Sequence, residues 1–326
     1  MERLSYFVNN HRITATTFYE PLLKHFLASF WGAPVELTLD TSVLWDQFCL
    51  IEVCLVWGGR SLTLSQVVIE HGSATVSFEQ YRPVLERAAA LIPSGCPVSI
   101  LADRGFLHGD FIRWAQQKGW GWSVRGKIDT LVRLGSGRTK AAQTLIPASG
   151  EAIIVPNVTI LENVPAHLCI ANLPQADEAW IVFSDPIHTP SLQIFARYGR
   201  RFGGIEPHFK DYKSAAFQIL DSKLRNAEAL TCLVMLLDCA TLLAVVLGII
   251  ATHQRLQVQL DGHSHRGLSF LQLGLRTIKM WLYLGKVLLT LTPLPAKSPP
   301  TAYASKRKRQ ELAERIEFSR VTSLVY

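Results

Sequence analysis

The chain has 326 residues, of which 48% are hydrophobic and 18% are charged, and its formal net charge is +7. This composition excludes an intrinsically disordered chain and allows one large domain or two ordinary ones around a sizeable core. The mild basic excess is compatible with a polyanionic partner such as nucleic acid.

The cysteine pattern and the N-terminus bear on the compartment. The six cysteines form no Cys-x-x-Cys pair and no zinc-type spacing with histidine, which predicts reduced, buried thiols. The first residues contain no apolar signal core, which argues against secretion. We therefore expect a cytoplasmic protein.

Residues 1–33 carry apolar side chains at helical spacing and predict a short helical N-terminal segment. From residue 35 the pattern alternates strictly and places Asp40 on the polar face of a strand. Residues 48–57 form a second apolar strand, and Gly58-Gly59 turns the chain into a third strand over 61–70. The sequence thus predicts a three-stranded antiparallel meander.

A helix and two further strands follow the meander. A capping box opens a helix over 77–91, with Pro83 expected to kink or divide it. Residues 98–102 form a short apolar run typical of a central strand, and Asp103 stands directly at its carboxyl end. With a helix over 110–118 and a strand over 120–125, residues 34–125 predict the first part of a mixed α/β core.

Three further segments complete the predicted organisation. Residues 126–190 contain short β runs between glycine, proline and asparagine turns, and predict a β-rich insertion. Residues 191–292 return to helical periodicity and are expected to complete the core. Residues 293–326 form a proline-rich linker and a charged tail, in which the basic cluster 306–309 either touches DNA non-specifically or is solvated.

One segment, 230–251, is apolar and nearly long enough to span a bilayer. Asp238 interrupts it near the middle, where a charge is costly in a membrane. We therefore expect a buried core helix and no stable membrane association, and the alternative is a membrane anchor.

The stretch 198–213 places Glu206 among several basic side chains. These are Arg197, Arg200, Arg201, Lys210 and Lys213. A carboxylate can hold a metal ion and the cations can hold phosphates, which suggests metal-dependent chemistry on a phosphodiester. The alternative is a solvated basic helix.

The order of three acids along the chain is informative. Asp40 lies on the first strand of a meander, Asp103 ends a central strand, and Glu206 lies in or opens a later helix. This is the plan of a ribonuclease H-like mixed sheet flanked by helices, with the β-rich insertion before the glutamate helix. Three such acids can share two Mg²⁺ ions about 4 Å apart for in-line displacement at phosphorus.

The motifs around these acids resemble those of the DDE transposases of bacterial insertion sequences, in the insertion-sequence-four group. The strand ending at Asp40 and the motif Leu101-Ala-Asp103-Arg-Gly-Phe106 match the segments of the two family aspartates. Tyr198, Arg201, Glu206 and Lys213 are similar to the family's Tyr-Arg-Glu-Lys signature. The resemblance covers about residues 15–250.

The resemblance implies a catalytic, metal-binding triad of Asp40, Asp103 and Glu206 with two Mg²⁺ ions, for which Mn²⁺ can substitute. It implies that Tyr198, Arg201 and Lys213 contact DNA phosphates, and we add Arg200 and Lys210 as candidates. The expected partners are double-stranded DNA of the transposon inverted repeats and of the target, with a homodimer in the DNA complex. The expected location is the bacterial cytoplasm, with the nucleoid.

The glutamate motif departs from the family pattern. Four residues separate Arg201 from Glu206 where the family has three, which would rotate Arg201 by about 100° on a continuous helix. We expect Gly203-Gly204 to absorb the extra residue as a break, and Pro207 to place Glu206 at a helix start. Arg200 is the alternative to Arg201.

Weaker features keep two interpretations each. His108 and His208 either assist phosphate binding or are structural, and Trp180 either stacks on a DNA base or packs in the core. Two alternative functions are a ribonuclease H-like nuclease without strand transfer and a truncated or inactive transposase that only binds DNA.

Overall fold

The computed structural model describes residues 6–161, 163–174, 176–186, 191–263, 266–285, 292–297, 299 and 318–324. Within helix 193–210, the side chains of residues 200–203 are not described. The basic cluster 306–309 lies outside the described residues. So does the rest of the charged tail up to residue 317, for which we expect a helix. All six cysteines are described as free thiols, as their spacing predicts.

The predicted meander is confirmed as strands β1 (Val35–Leu44), β2 (Phe48–Trp57) and β3 (Arg60–Glu70). β1 pairs antiparallel with β2, and β2 with β3. Gly58 and Gly59 make the second turn with φ angles of +61° and +75°, which glycine adopts without steric cost. Nearly all of β2 is buried, which fits a strand flanked on both sides and covered on both faces.

The chain then builds the parallel half of the sheet. Helix α1 (Glu20–Leu27) precedes the meander, and helix α2 (Phe78–Leu91) follows it. α2 contains Pro83 and is not divided there. β4 (Val98–Ala102) pairs parallel with β1, helix α3 (Gly109–Gln117) follows, and β5 (Gly121–Arg125) pairs parallel with β4. The strand order β3-β2-β1-β4-β5 with these directions is the ribonuclease H-like arrangement.

The predicted β-rich segment continues the same sheet. It contains β6 (Leu131–Arg133), β7 (Thr139–Ala141), β8 (Glu151–Ile160), β9 (Val164–Ala171) and β10 (Trp180–Ser184). β10 pairs with β5 on one side and with β9 on the other, so the described strands form one sheet in the order β3-β2-β1-β4-β5-β10-β9-β8-β6-β7. Joining this segment to the core edge leaves both edges of β5 hydrogen-bonded.

Two details of this segment differ from the sequence prediction. The runs 152–155 and 158–161 form one strand, β8, because the register shift between Val155 and Val158 accommodates Asn157 at a positive φ of 54°. A short strand, β11 (Arg320–Ser323), pairs parallel with β8 although its sequence lies in the predicted charged tail. A four-residue edge strand carries too little pattern to be predicted.

Helices complete the core after the sheet. Helix α4 (Gln193–Lys210) packs across the central strands, and helices α5 (Ala227–His253), α6 (Gln257–Leu260) and α7 (Phe270–Tyr283) follow. α5 and α7 approach closely at Gly248 and Gly274, where a side-chain carbon would meet backbone atoms of the other helix. By length and composition α5 could span a membrane, and 61% of its most apolar window is buried in the protein, as expected for a core helix.

Candidate active site

The two predicted aspartates lie side by side where the parallel pairing of β1 with β4 ends. The last printed pair between β1 and β4 joins Leu39 to Ala102, and the next residues are Asp40 and Asp103. Each carboxylate is oriented by a backbone amide that follows it: Thr41 N donates to Asp40 Oδ1 at 2.9 Å, and Arg104 N donates to Asp103 Oδ1 at 2.7 Å. Both carboxylates are half-buried.

Helix α4, which carries Glu206, covers the face of the sheet to which Asp40 points. Asp40 lies directly opposite Glu52 in the antiparallel β1–β2 pair, and directly opposed residues share a face. Glu52 contacts His208 of α4, which shows that the helix packs on this face. α4 also packs against β1 and β4 themselves. Glu206 is carried by this helix and is exposed.

The backbone around Glu206 differs from the sequence prediction. α4 is continuous from Gln193 to Lys210, so Gly203-Gly204 does not break it and Glu206 is not at its start. Pro207 is accommodated inside the helix. Gly204 lies against β3, where a Cβ atom would be 3.0 Å from Ser61 Oγ, so a small residue is required for the close approach. Gly204 therefore serves the packing of the helix on the sheet. This contact is with a distant part of the chain, so the spacing of residues around Glu206 cannot predict it.

The continuous helix sharpens the question of the signature arginine. Positions 201 and 206 are five apart in the numbering, which corresponds to a rotation of about 140° on a regular α-helix. Position 200 is about 120° from Glu206 in the other direction. The side chains of Arg200 and Arg201 are outside the described part of the structure, so both stay candidates for a phosphate contact.

The other predicted DNA-binding residues fall in different environments. Tyr198 is fully buried and packs edge-to-face on Trp180, with 6.1 Å between the ring centroids. This contact holds α4 to β10, and a DNA contact of Tyr198 stays a prediction. Lys210 is exposed at the end of α4. Lys213 is half-buried in the single π-helical turn Asp211–Ala215 that continues the helix.

The turn after Asp103 is tied to the loop before β10. Arg104 forms a salt bridge with Glu178, and Arg125 of β5 binds the same carboxylate at 2.5 Å. The hydrogen bond from Arg104 lowers the pKa of Glu178 below its ordinary value. His108 is exposed, and its ring Nε2 lies 2.8 Å from the carbonyl oxygen of Gly105. Sequence reasoning missed Glu178, which lies in a loop without any motif.

A buried polar cluster lies beneath α4 beside the aspartates. His208 Nε2 is 3.1 Å from Glu52 Oε2, and the two side chains are 2% and 0% exposed. Tyr212 donates a hydrogen bond to Asp238 of α5. Sequence reasoning missed the role of Glu52, although it is the one charged residue of an otherwise apolar strand.

Protonation in this cluster follows from burial and charge. Burial opposes the protonation of His208, but the carboxylate of Glu52 outweighs it and raises the pKa of the imidazole above its ordinary value. Burial, followed by the charge of Glu52, raises the pKa of Asp238 to about 7. Asp238 therefore interrupts the apolar α5 sequence as a hydrogen-bond acceptor that is largely neutral below pH 7.

The raised pKa of Asp238 predicts a pH-dependent stability. In the unfolded chain Asp238 loses its proton near pH 4, whereas in the folded protein it keeps the proton up to about pH 7. The folded state therefore loses stability as the pH rises from about 4 to 7. In urea unfolding at pH 5, 6, 7 and 8, we expect the stability of Asp238→Asn relative to the wild type to increase with pH. The change can reach about 1.4 kcal/mol per pH unit, because the amide cannot ionise. Parallel stability curves for the two proteins would contradict this assignment.

The donor set of the three acids suits a hard divalent cation. Mg²⁺ prefers carboxylate oxygens, and Asp40 and Asp103 each present a carboxylate whose other oxygen is already fixed by a backbone amide. Neither side chain is sealed in the core, and Glu206 is exposed. The residues therefore fit a metal site made of oxygen ligands.

A basic groove of about 790 Å³ extends from the Asp103 turn toward the β6–β8 region. Arg104 and His108 line it on the core side, and Lys127 and Arg133 line it on the other. The described residues that line this groove include no acid. Leu131 and Leu161, which are 63% and 43% exposed, add apolar surface. The groove thus has basic side chains that can bind a polyanion, and apolar side chains beside them.

The fold and the acids at its strand ends define a ribonuclease H-like α/β protein. A family model described as a transposase DDE domain matches residues 47–243, and the chain therefore belongs to this family. The matched range contains Asp103 and Glu206 and begins just after Asp40. Proteins of this family use divalent metal ions.

Comparison with individual proteins adds one similar structure. No curated protein matches the sequence. Among solved structures, the chain is similar to a piggyBac transposase in a cryo-EM synaptic complex with hairpin DNA, at 10% identity and a TM-score of 0.45. The match covers 88% of this chain and 56% of that one, so the chain spans little more than half of that transposase.

Proposed function

We propose that the protein is a transposase that cuts and joins DNA at the ends of an insertion sequence of the insertion-sequence-four group. The observation that carries this proposal is the placement of Asp40 beside Asp103, where the parallel pairing of β1 with β4 ends, on the side of the sheet covered by the Glu206 helix, in a chain of the DDE family. Asp40, Asp103 and Glu206 would hold two Mg²⁺ ions. When bound, such ions lower the pKa of an attacking water and neutralise charge on the leaving oxygen.

The proposed reaction has two phosphoryl transfers. In the first, the oxygen of water bonds to phosphorus at the element end, the bond from phosphorus to the 3′ oxygen breaks, and a 3′-hydroxyl is released. In the second, that hydroxyl oxygen bonds to a phosphorus of target DNA and a target 3′-hydroxyl leaves. Asp40 and Asp103 would hold the metal ions that contact the reacting phosphate, and their hydrogen bonds from the following backbone amides restrict both side chains.

Basic side chains near the acids would hold the DNA backbone. The helix that carries Glu206 also carries one of the candidate arginines, Arg200 or Arg201, before it and Lys210 after it. Its π-helical extension adds Lys213. The basic groove offers a second track for phosphates that begins beside Asp103. A DNA duplex that reaches both tracks would pass over the two aspartates. We propose a homodimer in the DNA complex and action on DNA in the bacterial cytoplasm.

The function is tested by cleavage and joining. Purified protein with Mg²⁺ is incubated with a labelled duplex that carries the inverted repeats flanking its own gene, and we expect nicks at the repeat ends. Pre-cut ends are then offered with a supercoiled plasmid, and we expect their insertion. Cutting without insertion would support a ribonuclease H-like nuclease, and binding without cutting would support an inactive transposase.

The groove supplies a separate prediction about DNA affinity. Replacing Lys127 and Arg133 together by glutamine is expected to weaken duplex binding at least about tenfold and to reduce the slope of log K against log salt by about 1.8, because two phosphate contacts are lost. Fluorescence anisotropy at several salt concentrations measures both quantities. The matched control is glutamine at Lys24 and Arg82, two exposed cations on α1 and α2. Equal slopes for both double variants would exclude the groove as a DNA track.

A further inference from the structure

Three polar contacts that help to fix the glutamate helix follow Glu206 directly. His208 pairs with Glu52 of β2 at 3.1 Å. Asp211, just past the end of α4, pairs with Arg60 of β3 at 3.2 Å. Tyr212 donates to Asp238 of α5. The His208–Glu52 pair is the most deeply buried of these contacts, and it is nearest to Glu206 in sequence.

Stability alone does not explain a buried pair of this kind. Removing two charged groups from water costs several kcal/mol, and an apolar pair of similar volume often stabilises a protein as well or better. A hydrogen-bonded pair differs from an apolar contact in one respect, since it is strong only over a narrow range of distances and angles. It therefore restricts the sliding and rotation of a helix on a sheet more than apolar packing does.

The pair also joins the two chain segments that carry the proposed metal ligands. Glu52 is the direct cross-strand neighbour of Asp40, and His208 is two residues after Glu206 on the same helix. The distance between Asp40 and Glu206 is thus set through one strand pairing, one buried hydrogen bond and half a turn of helix. A displacement of α4 of about 1 Å is enough to impair catalysis about 100-fold in sites of this kind.

On the basis of the proposed function, we propose that His208 and Glu52 are positioning residues, which hold the Glu206 helix at the spacing that binds divalent metal together with Asp40 and Asp103. Neither side chain touches the substrate. Their role is to make one position of α4 on the sheet more stable than its neighbours, so that the three carboxylates are preorganised before the metal arrives.

A metal site inside the cluster is a weaker explanation of the same residues. Donor atoms of Glu52, Cys54 and His208 all lie within 4.8 Å of one another. However, the hydroxyl of Thr63 lies among them, at 3.4 Å from Glu52 Oε1, 3.4 Å from His208 Nε2 and 3.8 Å from Cys54 Sγ. The Thr63 hydroxyl therefore occupies the space that an ion would need, within hydrogen-bonding distance of all three side chains.

The test separates positioning from simple stabilisation by replacing both partners with leucine. Glu52→Leu combined with His208→Leu removes two buried charges together, so we expect it to fold with a stability close to that of the wild type. Binding of Ca²⁺ without DNA is measured by calorimetry, and DNA cleavage with Mg²⁺ is measured under single-turnover conditions. We expect at least tenfold weaker Ca²⁺ binding and at least tenfold slower cleavage, with DNA affinity unchanged.

Two further variants complete the experiment. Glu52→Gln keeps a hydrogen-bond partner for His208 and is expected to retain Ca²⁺ binding and cleavage rate within about threefold, whether or not the double leucine variant folds. The control is the exposed Glu86–Lys118 pair replaced by two leucines, which is expected to change neither quantity.

The outcomes distinguish the two proposals. If the wild type binds Ca²⁺ in a manner that depends on Asp103, and the folded double leucine variant binds and cuts within twofold of the wild type, the positioning role is overturned. If the double variant does not fold, Glu52→Gln decides: retention within threefold supports the role, and tenfold losses at an unchanged unfolding midpoint overturn it, because the hydrogen-bond partner of His208 is kept. If the wild type itself shows no Asp103-dependent binding, the proposed function fails first.

Discussion

Replacing Asp103 by asparagine is expected to slow DNA strand cleavage by at least about 10³-fold, because a neutral amide is a poor ligand for the divalent ions that lower the barrier. The fold should be unaffected. The side chain of Asp103 accepts a hydrogen bond from Arg104 N at 2.7 Å, and asparagine can accept the same bond. The residue is half-buried, so the change creates no cavity. Cleavage is measured on the labelled inverted-repeat duplex, and thermal unfolding on the same samples.

The control for this prediction is Asp110→Asn. Asp110 lies a few residues later, in the first turn of α3, and its exposed carboxylate binds Arg113 at 2.8 Å. The same chemical change there should leave the cleavage rate within about twofold, since surface pairs contribute about 1 kcal/mol or less. A variant at Asp103 that is folded and cuts at the wild-type rate would remove the proposed mechanism.

The second large effect is expected at the contact between α5 and α7. Gly274→Ala would place its Cβ atom 1.7 Å from the carbonyl oxygen of Ala244, a backbone atom that can yield only if the helices separate. Separation would loosen a contact in the main hydrophobic core, which includes Ala244, Val245 and Phe270. We expect a loss of at least about 3 kcal/mol in the free energy of unfolding, at the upper end of the cost of overpacking.

A second glycine tests whether this loss comes from the contact or from the residue type. Gly199 lies in helix α4 with open space where a side chain would stand. Because alanine favours helix over glycine, Gly199→Ala is expected to stabilise the protein by about 0.5–1 kcal/mol. Urea unfolding monitored by circular dichroism measures both variants. Similar free energies for Gly274→Ala and the wild type would show that α5 and α7 pack less closely than described.

The periodicity of the chain determined most of the elements. Alternation and short apolar runs predicted β1, β2 and β4, since each of these signals is carried by consecutive residues. The capping box at Ser77 predicted where α2 begins, and the structure shows both of its hydrogen bonds. The same local signals placed Asp40 on the first strand of the meander and Asp103 at the carboxyl end of a central strand, and only the structure shows that these two strands pair in parallel.

Tertiary structure decided the features that depend on distant partners. The break expected at Gly203-Gly204 is absent, and Gly204 instead approaches β3 closely, a contact that no neighbour in sequence indicates. Asp238 interrupts a helix that could span a membrane, and its acceptability in the core depends on Tyr212, which arrives from another helix.

The same division applies to the site. The acids were identifiable from the sequence because metal chemistry requires carboxylates, and a charged residue next to an apolar strand is conspicuous. The pairs that Glu52 and Glu178 form could not be identified from the sequence. Glu52 pairs with His208 across 156 residues, and Glu178 pairs with Arg104 across 74 residues. A sequence records which groups are present, and only the folded chain determines which of them meet, since that depends on the packing of the whole sheet.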